Sequence, residues 1–379
     1  MLNTQNSPRL THNAHADRAN VSKAGIPDPA FHPSLPDFAT TPLRSAPKAA
    51  QRLGVRSVLV KDESQRLGMP SFKILGASWA TYRSVMAHLG RAVGAQPTLD
   101  ELREAVGAQA SDLTLVAATD GNHGRAVARM AKLLGLAAII IVPAGTVDSR
   151  IDAITGEGAE VRVVDGGYDD AIAASAALSD DKHVVISDTS WEGYTDTPGW
   201  VIDGYSTMLK EVIDEIEAGH VAEPTVVAAQ MGVGAFAAAV TRQFASRPAR
   251  LLVGVEPITA DCVITSVEAG KITTIPGPQD SIMAGLNCGT PSIVAWDDVL
   301  RGYDVLVTVT DDDARDAMRL LHDDGIEAGE SGAAGLAGLL AHAEGLGLGP
   351  QDDVIVLLTE GVTDPAAYRD IIGSRGTDS

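Results

Sequence analysis

Lys73, in Ser71-Phe72-Lys73, lies just past an apolar strand pattern and opens a helical one. An ε-amine at the positive end of a helix is disfavoured as a cation, which suits it to nucleophilic attack on a carbonyl and Schiff-base formation. Taken alone, the same lysine also reads as a snorkelling surface residue. Asp120-Gly121-Asn122-His123-Gly124 follows a second strand pattern and opens another helix, where free amides suit a carboxylate and an asparagine amide suits a phenolate oxygen. An ordinary helix cap accounts for Asp120 or Asn122 singly, and His123 reads more readily as a packed helix-start histidine than as a base. Gly232-Val233-Gly234-Ala235 sits at a third strand-to-helix junction, where small residues expose amides to a phosphate. It lacks the third glycine of a dinucleotide fingerprint and any Walker lysine, so alone it reads as a tight turn. Thr359 ends the last strand pattern, where a hydroxyl can hydrogen-bond a pyridine nitrogen without protonating it, or simply cap the strand.

An amine, a polar turn and an amide-lined cradle together are what pyridoxal 5'-phosphate requires. They must be held by a scaffold that brings strand ends together. From Val55 onward, short β-rich runs alternate with helical patterns, as in an α/β fold with largely parallel sheets. Strands are expected at Ser57–Val60, Leu113–Ala118, Ala138–Val142, Val161–Val164, His183–Ile186, Thr225–Ala229, Leu251–Val255, Val305–Val309 and Val354–Leu358. Helices are expected at Pro97–Ala110, at Gly121–Leu134 before Gly135 and at Val201–Ala218 before Gly219. Nine strands are many for one sheet, so two open, mostly parallel sheet domains are expected, with ligand beyond the strand ends in the cleft between them. The expected division is an extended arm over 1–40, a large domain of 41–75 with 200–379, and a small domain of 76–199.

The chain has 379 residues, ample for two domains. Its 29 Lys and Arg against 50 Asp and Glu leave a formal charge of -21, which repels nucleic acid and anionic lipid. A small-molecule partner is therefore expected, and an anionic cofactor must rely on local amides. Cys262 and Cys288 give no disulfide framework and lack metal-type neighbours, so no metal is expected and buried thiols are the simpler reading; a bridge between them is the secondary one. The Leu136–Val142 run is far shorter than the roughly 20 residues of a membrane span. With a polar N-terminus, the expectation is a cytoplasmic protein, and a homodimer is the default assembly.

In this order, these residues resemble the fold-type-II pyridoxal-phosphate enzymes, the tryptophan synthase β and threonine dehydratase group. The resemblance spans most of 55–373 and implies that Lys73 carries the cofactor beside Phe72. It implies that Thr119, Asp120, Gly121 and Asn122 meet substrate, with Asn122 also at the ring. Gly232, Val233, Gly234 and Ala235 would bind phosphate, and Thr359 would face the ring nitrogen. Where hydroxyamino-acid dehydratases carry serine, this chain has Asp120, which suits a substrate bearing a second ammonium. With Asp188-Thr189-Ser190-Trp191-Glu192-Gly193-Tyr194, Gly204-Tyr205-Ser206-Thr207-Met208, Ile282-Met283-Ala284-Gly285-Leu286 and Glu330-Ser331-Gly332, it is similar to the diaminopropionate ammonia-lyases. That likeness implies α,β-elimination of 2,3-diaminopropionate to pyruvate and ammonia, with Asp120 serving the D-isomer and Asp188 the L-isomer. Pro70-Ser71 before Phe-Lys is closer to the dehydratases, and Val362 stands where a more polar residue is expected. A serine or threonine dehydratase, and a silent amino-acid-binding protein on the same fold, are the competing readings.

Overall fold

The computed structural model describes residues 8–119 and 121–373. Eleven strands form, β1 (Leu10–His12), β2 (Leu43–Ser45), β3 (Ser57–Asp62), β4 (Thr114–Ala118), β5 (Ala137–Pro143), β6 (Glu160–Val164), β7 (His183–Val185), β8 (Val226–Gln230), β9 (Leu251–Pro257), β10 (Val305–Val309) and β11 (Asp353–Leu358). The chain divides into two compact units. One comprises the described residues of Met1–Lys23, Thr41–Gln65 and Met208–Ser379; the other is Ala24–Thr40 with Arg66–Thr207.

The first unit holds a seven-stranded sheet in the order β1-β10-β9-β8-β11-β3-β2. Its five central strands run parallel, and only the short edge strands β1 and β2 pair antiparallel. β8, β10 and β11 are buried along their whole length, as expected of parallel strands covered on both faces. A core of Val226, Val253, Val307, Val356 and Leu336 packs under the Asp311–Asp323 and Glu330–Ala341 helices. Gly338 lets the second of these approach, because a Cβ there would lie 2.5 Å from Val255.

The second unit holds a four-stranded, wholly parallel sheet in the order β6-β5-β4-β7. Its core is smaller, with Val116, Ala118, Ile139, Ile141, Ala171 and Val185. The edge strand β6 is half covered at best.

All nine expected strands form. The two others lie where no pattern is visible: three residues are too few to show alternation, and pairing with β10 and β3 creates them. The segment before residue 40 is thus not uniformly extended. Arg9 N–H donates to Thr308 Oγ1, Asn13 Nδ2 donates to the Leu300 and Tyr303 carbonyls, and Phe31, His32 and Leu35 are buried.

Candidate active site

In the second unit, Lys73 is presented by a tight turn and a closely packed helix. Arg66 and Met69 exchange backbone hydrogen bonds of 2.9 Å, with Leu67 and Gly68 between them both at positive φ. That geometry is natural for glycine and costly for leucine, so the surroundings must hold it. Buried Leu67 and Met69 and the Arg66–Ala39 hydrogen bond do so. The Lys73–His88 helix then starts at Lys73. Gly76 and Gly204 let this helix meet the Asp196–Glu217 helix closely: a Cβ at Gly76 would lie 2.5 Å from the Tyr205 ring, and one at Gly204 2.5 Å from the Leu75 carbonyl. Phe72 packs its ring 4.5 Å from that of Tyr205.

The Lys73 ammonium donates to Asp188 Oδ2 at 2.7 Å, and the Tyr168 hydroxyl donates to Asp188 Oδ1 at 3.0 Å. Asp188 follows β7 and is buried. Burial alone would push its carboxyl up, but the Lys73 ammonium, with the Lys73 and Tyr168 hydrogen bonds, outweighs it and holds the group well below the usual carboxylate range. His123 is 1 % exposed. Its Nε2 donates to the Ile186 carbonyl at 2.8 Å, which leaves Nδ1 bare, 4.0 Å from Asp188 Oδ2. Burial lowers its basicity, so it is neutral near pH 7 and the holding of Asp188 falls to Lys73 and Tyr168.

The polar turn is built beside this pair in the same unit. Thr119 Oγ1 accepts from the amides of Gly121 and Gly124 at 2.9 and 3.0 Å, capping the Asn122–Leu134 helix. Gly124 is required there, since a Cβ would lie 2.4 Å from Thr119. Asn122 is the first helical residue, and Asp120 lies outside the described residues.

In the first unit, Gly232-Val233-Gly234-Ala235 joins β8 to the Ala235–Phe244 helix. Gly234 takes the left-handed conformation at φ 96°, and a Cβ at Gly232 would lie 3.2 Å from both Cys288 Sγ and the Gly285 carbonyl. Amides in the first turn of a helix have no preceding helix carbonyl to bond, and such a turn suits an anion. Cys262 and Cys288, both buried thiols, flank this loop, the Cys262 Sγ 3.9 Å from the Gly232 carbonyl. Gln230, just before the loop, donates to Thr359 Oγ1 at 2.6 Å and to the Leu357 carbonyl at 2.9 Å. Because the Thr359 hydroxyl accepts from Gln230, its own hydrogen is left to donate, and a neutral pyridine nitrogen is a matching acceptor. Ser331 Oγ accepts from the Gly285 amide, while Gly332 packs on the Glu360 backbone, where a Cβ would lie 2.4 Å from the carbonyl. The Ile282–Leu286, Glu330–Gly332 and Thr359–Gly361 strings therefore converge around one loop.

Two of these groupings are not visible in sequence. Lys73 and Asp188 are 115 positions apart, and only folding reveals the contact. For Gln230 the signal in the sequence is a glutamine inside an otherwise apolar strand end, just before the glycine loop; Tyr168 carries none. The donor set fits pyridoxal phosphate: an amine at a helix start, amides for a phosphate and a hydroxyl donor for a ring nitrogen are all present.

Residues 35–360 match the family described as pyridoxal-phosphate dependent enzymes. The chain is 36% identical over 360 residues to the diaminopropionate ammonia-lyase of Escherichia coli (strain K12), covering 90% of this chain and 89% of that protein. It is 34% identical over 369 residues to the diaminopropionate ammonia-lyase of Salmonella typhimurium, covering 90% of each. The crystal structure of the Escherichia coli enzyme in complex with D-serine superposes with a TM-score of 0.86 at 32% identity, covering 97% of both chains. The processed form of threonine deaminase isoform 2 from Solanum lycopersicum shares the fold at 22% identity and a TM-score of 0.71, covering 89% of this chain and 88% of that one. The chain therefore belongs to the pyridoxal-phosphate dependent enzymes of fold type II and, among them, to the diaminopropionate ammonia-lyase family.

Proposed function

We propose that this protein eliminates ammonia from 2,3-diaminopropionate, which with one water yields pyruvate and two ammonia. The observation that carries this reading is the Lys73–Asp188 pair, an amine and a buried carboxylate 2.7 Å apart, in a chain of this family. When bound, pyridoxal phosphate supplies an electron sink that allows the bond between Cα and its proton to break.

In this proposal Lys73 Nζ holds the cofactor, beside Phe72, and the amides of Gly232, Val233, Gly234 and Ala235 hold its phosphate. Asn122 binds the ring oxygen and Thr359 donates to the ring nitrogen, aligned by Gln230. By donating a hydrogen bond without giving up its proton, the Thr359 hydroxyl would leave that nitrogen neutral, which would suit loss of the β-amine better than transamination. A base must lie on the face toward which the α-proton points, so two isomers need two bases. Asp188 takes the proton of the L-isomer and Asp120 that of the D-isomer, with Thr119, Asp120, Gly121 and Asn122 receiving the substrate. The Asp120 carboxylate also pairs with the second ammonium, and this disfavours the dehydratase reading.

No described helix is long and apolar enough to cross a membrane. We place the protein in the cytoplasm as a homodimer, a reading supported by its charge of -21 and by the usual symmetry of soluble enzymes. Pyruvate release from D- and L-diaminopropionate, beside serine and threonine, tests the activity. Faster turnover of the hydroxyamino acids would replace it with a dehydratase, and no pyruvate from any of them would leave a binding protein.

A further inference from the structure

We infer that Tyr168 is a positioning residue for Asp188: its hydroxyl fixes which carboxylate oxygen faces the reacting carbon, so Tyr168 governs turnover of the L-isomer and not of the D-isomer. The inference rests on the proposed activity and deepens it.

Asp188 Oδ1 is hydrogen-bonded by Tyr168 at 3.0 Å, and Oδ2 by Lys73 at 2.7 Å. Lys73 is committed to the cofactor in the working enzyme, so its grip on Oδ2 is not a fixed feature of the site. His123 does not replace it, because its proton is on Nε2 and bound to the Ile186 carbonyl, and its bare Nδ1 lies 4.0 Å away. The Tyr194 hydroxyl is spent on the strand that carries Asp188, accepting from the Ser187 amide and donating to the Val185 carbonyl. Among the described residues, Tyr168 is then the side chain that can hold the carboxylate plane throughout a turnover.

The way Tyr168 is delivered suits that task. Gly166 sits at φ 151°, where a side chain is strained and where a Cβ would lie 2.3 Å from Asp170 Oδ2. Asp170 in turn accepts from the Gly167 amide at 2.8 Å, closing the turn that starts the Tyr168–Ala176 helix. That helix is anchored in the small core by Ala171, with Ile172 and Ala174 against it. The helix is thus anchored by apolar residues other than Tyr168, and the controls below separate a change at Asp188 from a change in the helix.

A hydrogen bond donated to a carboxylate favours its charged form, so removing it raises the carboxyl pKa and frees the group to rotate. The groups facing Asp188 are Lys73, His123, Tyr168 and Tyr194. The test is Tyr168→Phe in the cofactor-loaded enzyme, with kcat and KM for each isomer across pH, and the thermal midpoint and visible spectrum as controls. Expected is a fall of about tenfold in kcat for the L-isomer with KM little changed, an acidic limb moved to higher pH, and D-isomer turnover within about twofold of the parent. Equal loss for both isomers, or loss of cofactor or thermal stability with it, would reduce Tyr168 to a structural residue and overturn the inference, as would unchanged L-isomer turnover. If the parent enzyme turned over neither isomer, the proposed function would fall by itself. The Asp188 carboxyl titration, followed by carbon NMR in parent and Tyr168→Phe protein, would then decide, with identical curves counting against the inference.

Discussion

Around Lys73, the four-stranded unit assembles ionisable side chains: an ammonium, a buried carboxylate, a phenol and a neutral imidazole within a few ångströms. Around the glycine loop, the seven-stranded unit offers backbone amides, a threonine hydroxyl and a glutamine amide, none of which titrates near neutral pH. The buried carboxyl of Glu256 in the same unit is spent on the Val263 and Ile264 amides at the start of the Cys262–Ala269 helix, and burial pushes it up to about 8. The contrast teaches where protons move. In the proposed function, the groups that exchange protons are clustered on one unit, while the other would hold its ligand with donors whose charge does not change during the reaction.

The comparison breaks most completely at Lys73. Lys73→Ala should lower pyruvate formation from both isomers by at least about 10³-fold, measured in steady state with excess cofactor. Next in size, Asp188→Asn should cost the L-isomer about 10² to 10⁴-fold, the usual worth of a positioned base, and leave the D-isomer turning over. Equal loss for both would mean that Asp188 serves Lys73 and not the substrate.

Changes at the neutral side should read out as affinity instead. Gly232→Ala places a methyl 3.2 Å from Cys288 Sγ and the Gly285 carbonyl, so the loop must shift. Cofactor dissociation, followed by fluorescence titration, should weaken about tenfold, equivalent to ~1.4 kcal/mol, while kcat at saturating cofactor stays near the parent value. A fall in kcat with unchanged affinity would erase the distinction between the two sets of donors.

The smallest effect is on stability against pH, where the two carboxyls carry opposite signs. Glu256 titrates near 8 in the fold against 4.5 in the open chain, so between those values the unfolded chain sheds its proton first and stability falls as pH rises. Glu256→Gln should flatten that slope in thermal midpoints between pH 5 and 8, roughly the interval those two values bracket. Asp188 is held below its ordinary value of 3.8, so its contribution is complete above that value and is lost as the pH falls below it. A Glu256→Gln protein with an unchanged slope would show that this carboxyl is charged in the fold.

Much of this scaffold is legible in the residues. β10 runs over the expected Val305–Val309 without change, and the Asn122–Leu134 helix ends at Gly135 in the left-handed cap that the glycine announces. The helix expected from Val201 starts earlier, at Asp196, because Pro198 falls in its first turn, where the missing N–H costs nothing. The Pro97–Ala110 pattern narrows to Leu99–Gln109 because Thr98 takes the cap, accepting from the Glu101 amide. Residue types at strand ends point to Lys73, the glycine loop and Thr359 as candidates, while Asp188 enters through the family resemblance. Their partners were not legible, since the Tyr168–Asp188 and Gln230–Thr359 hydrogen bonds join distant segments and depend on tertiary packing alone. Asp120 lies outside the described residues, so its role is a matter for the isomer-resolved kinetics.

The most direct test of the central claim, that Lys73 carries the cofactor, is borohydride reduction of the loaded protein followed by peptide mass mapping. The account predicts loss of the visible absorption band and a single pyridoxyl group on the peptide containing Lys73. A label on any other lysine, or a Lys73→Ala protein that still acquires one, would contradict it.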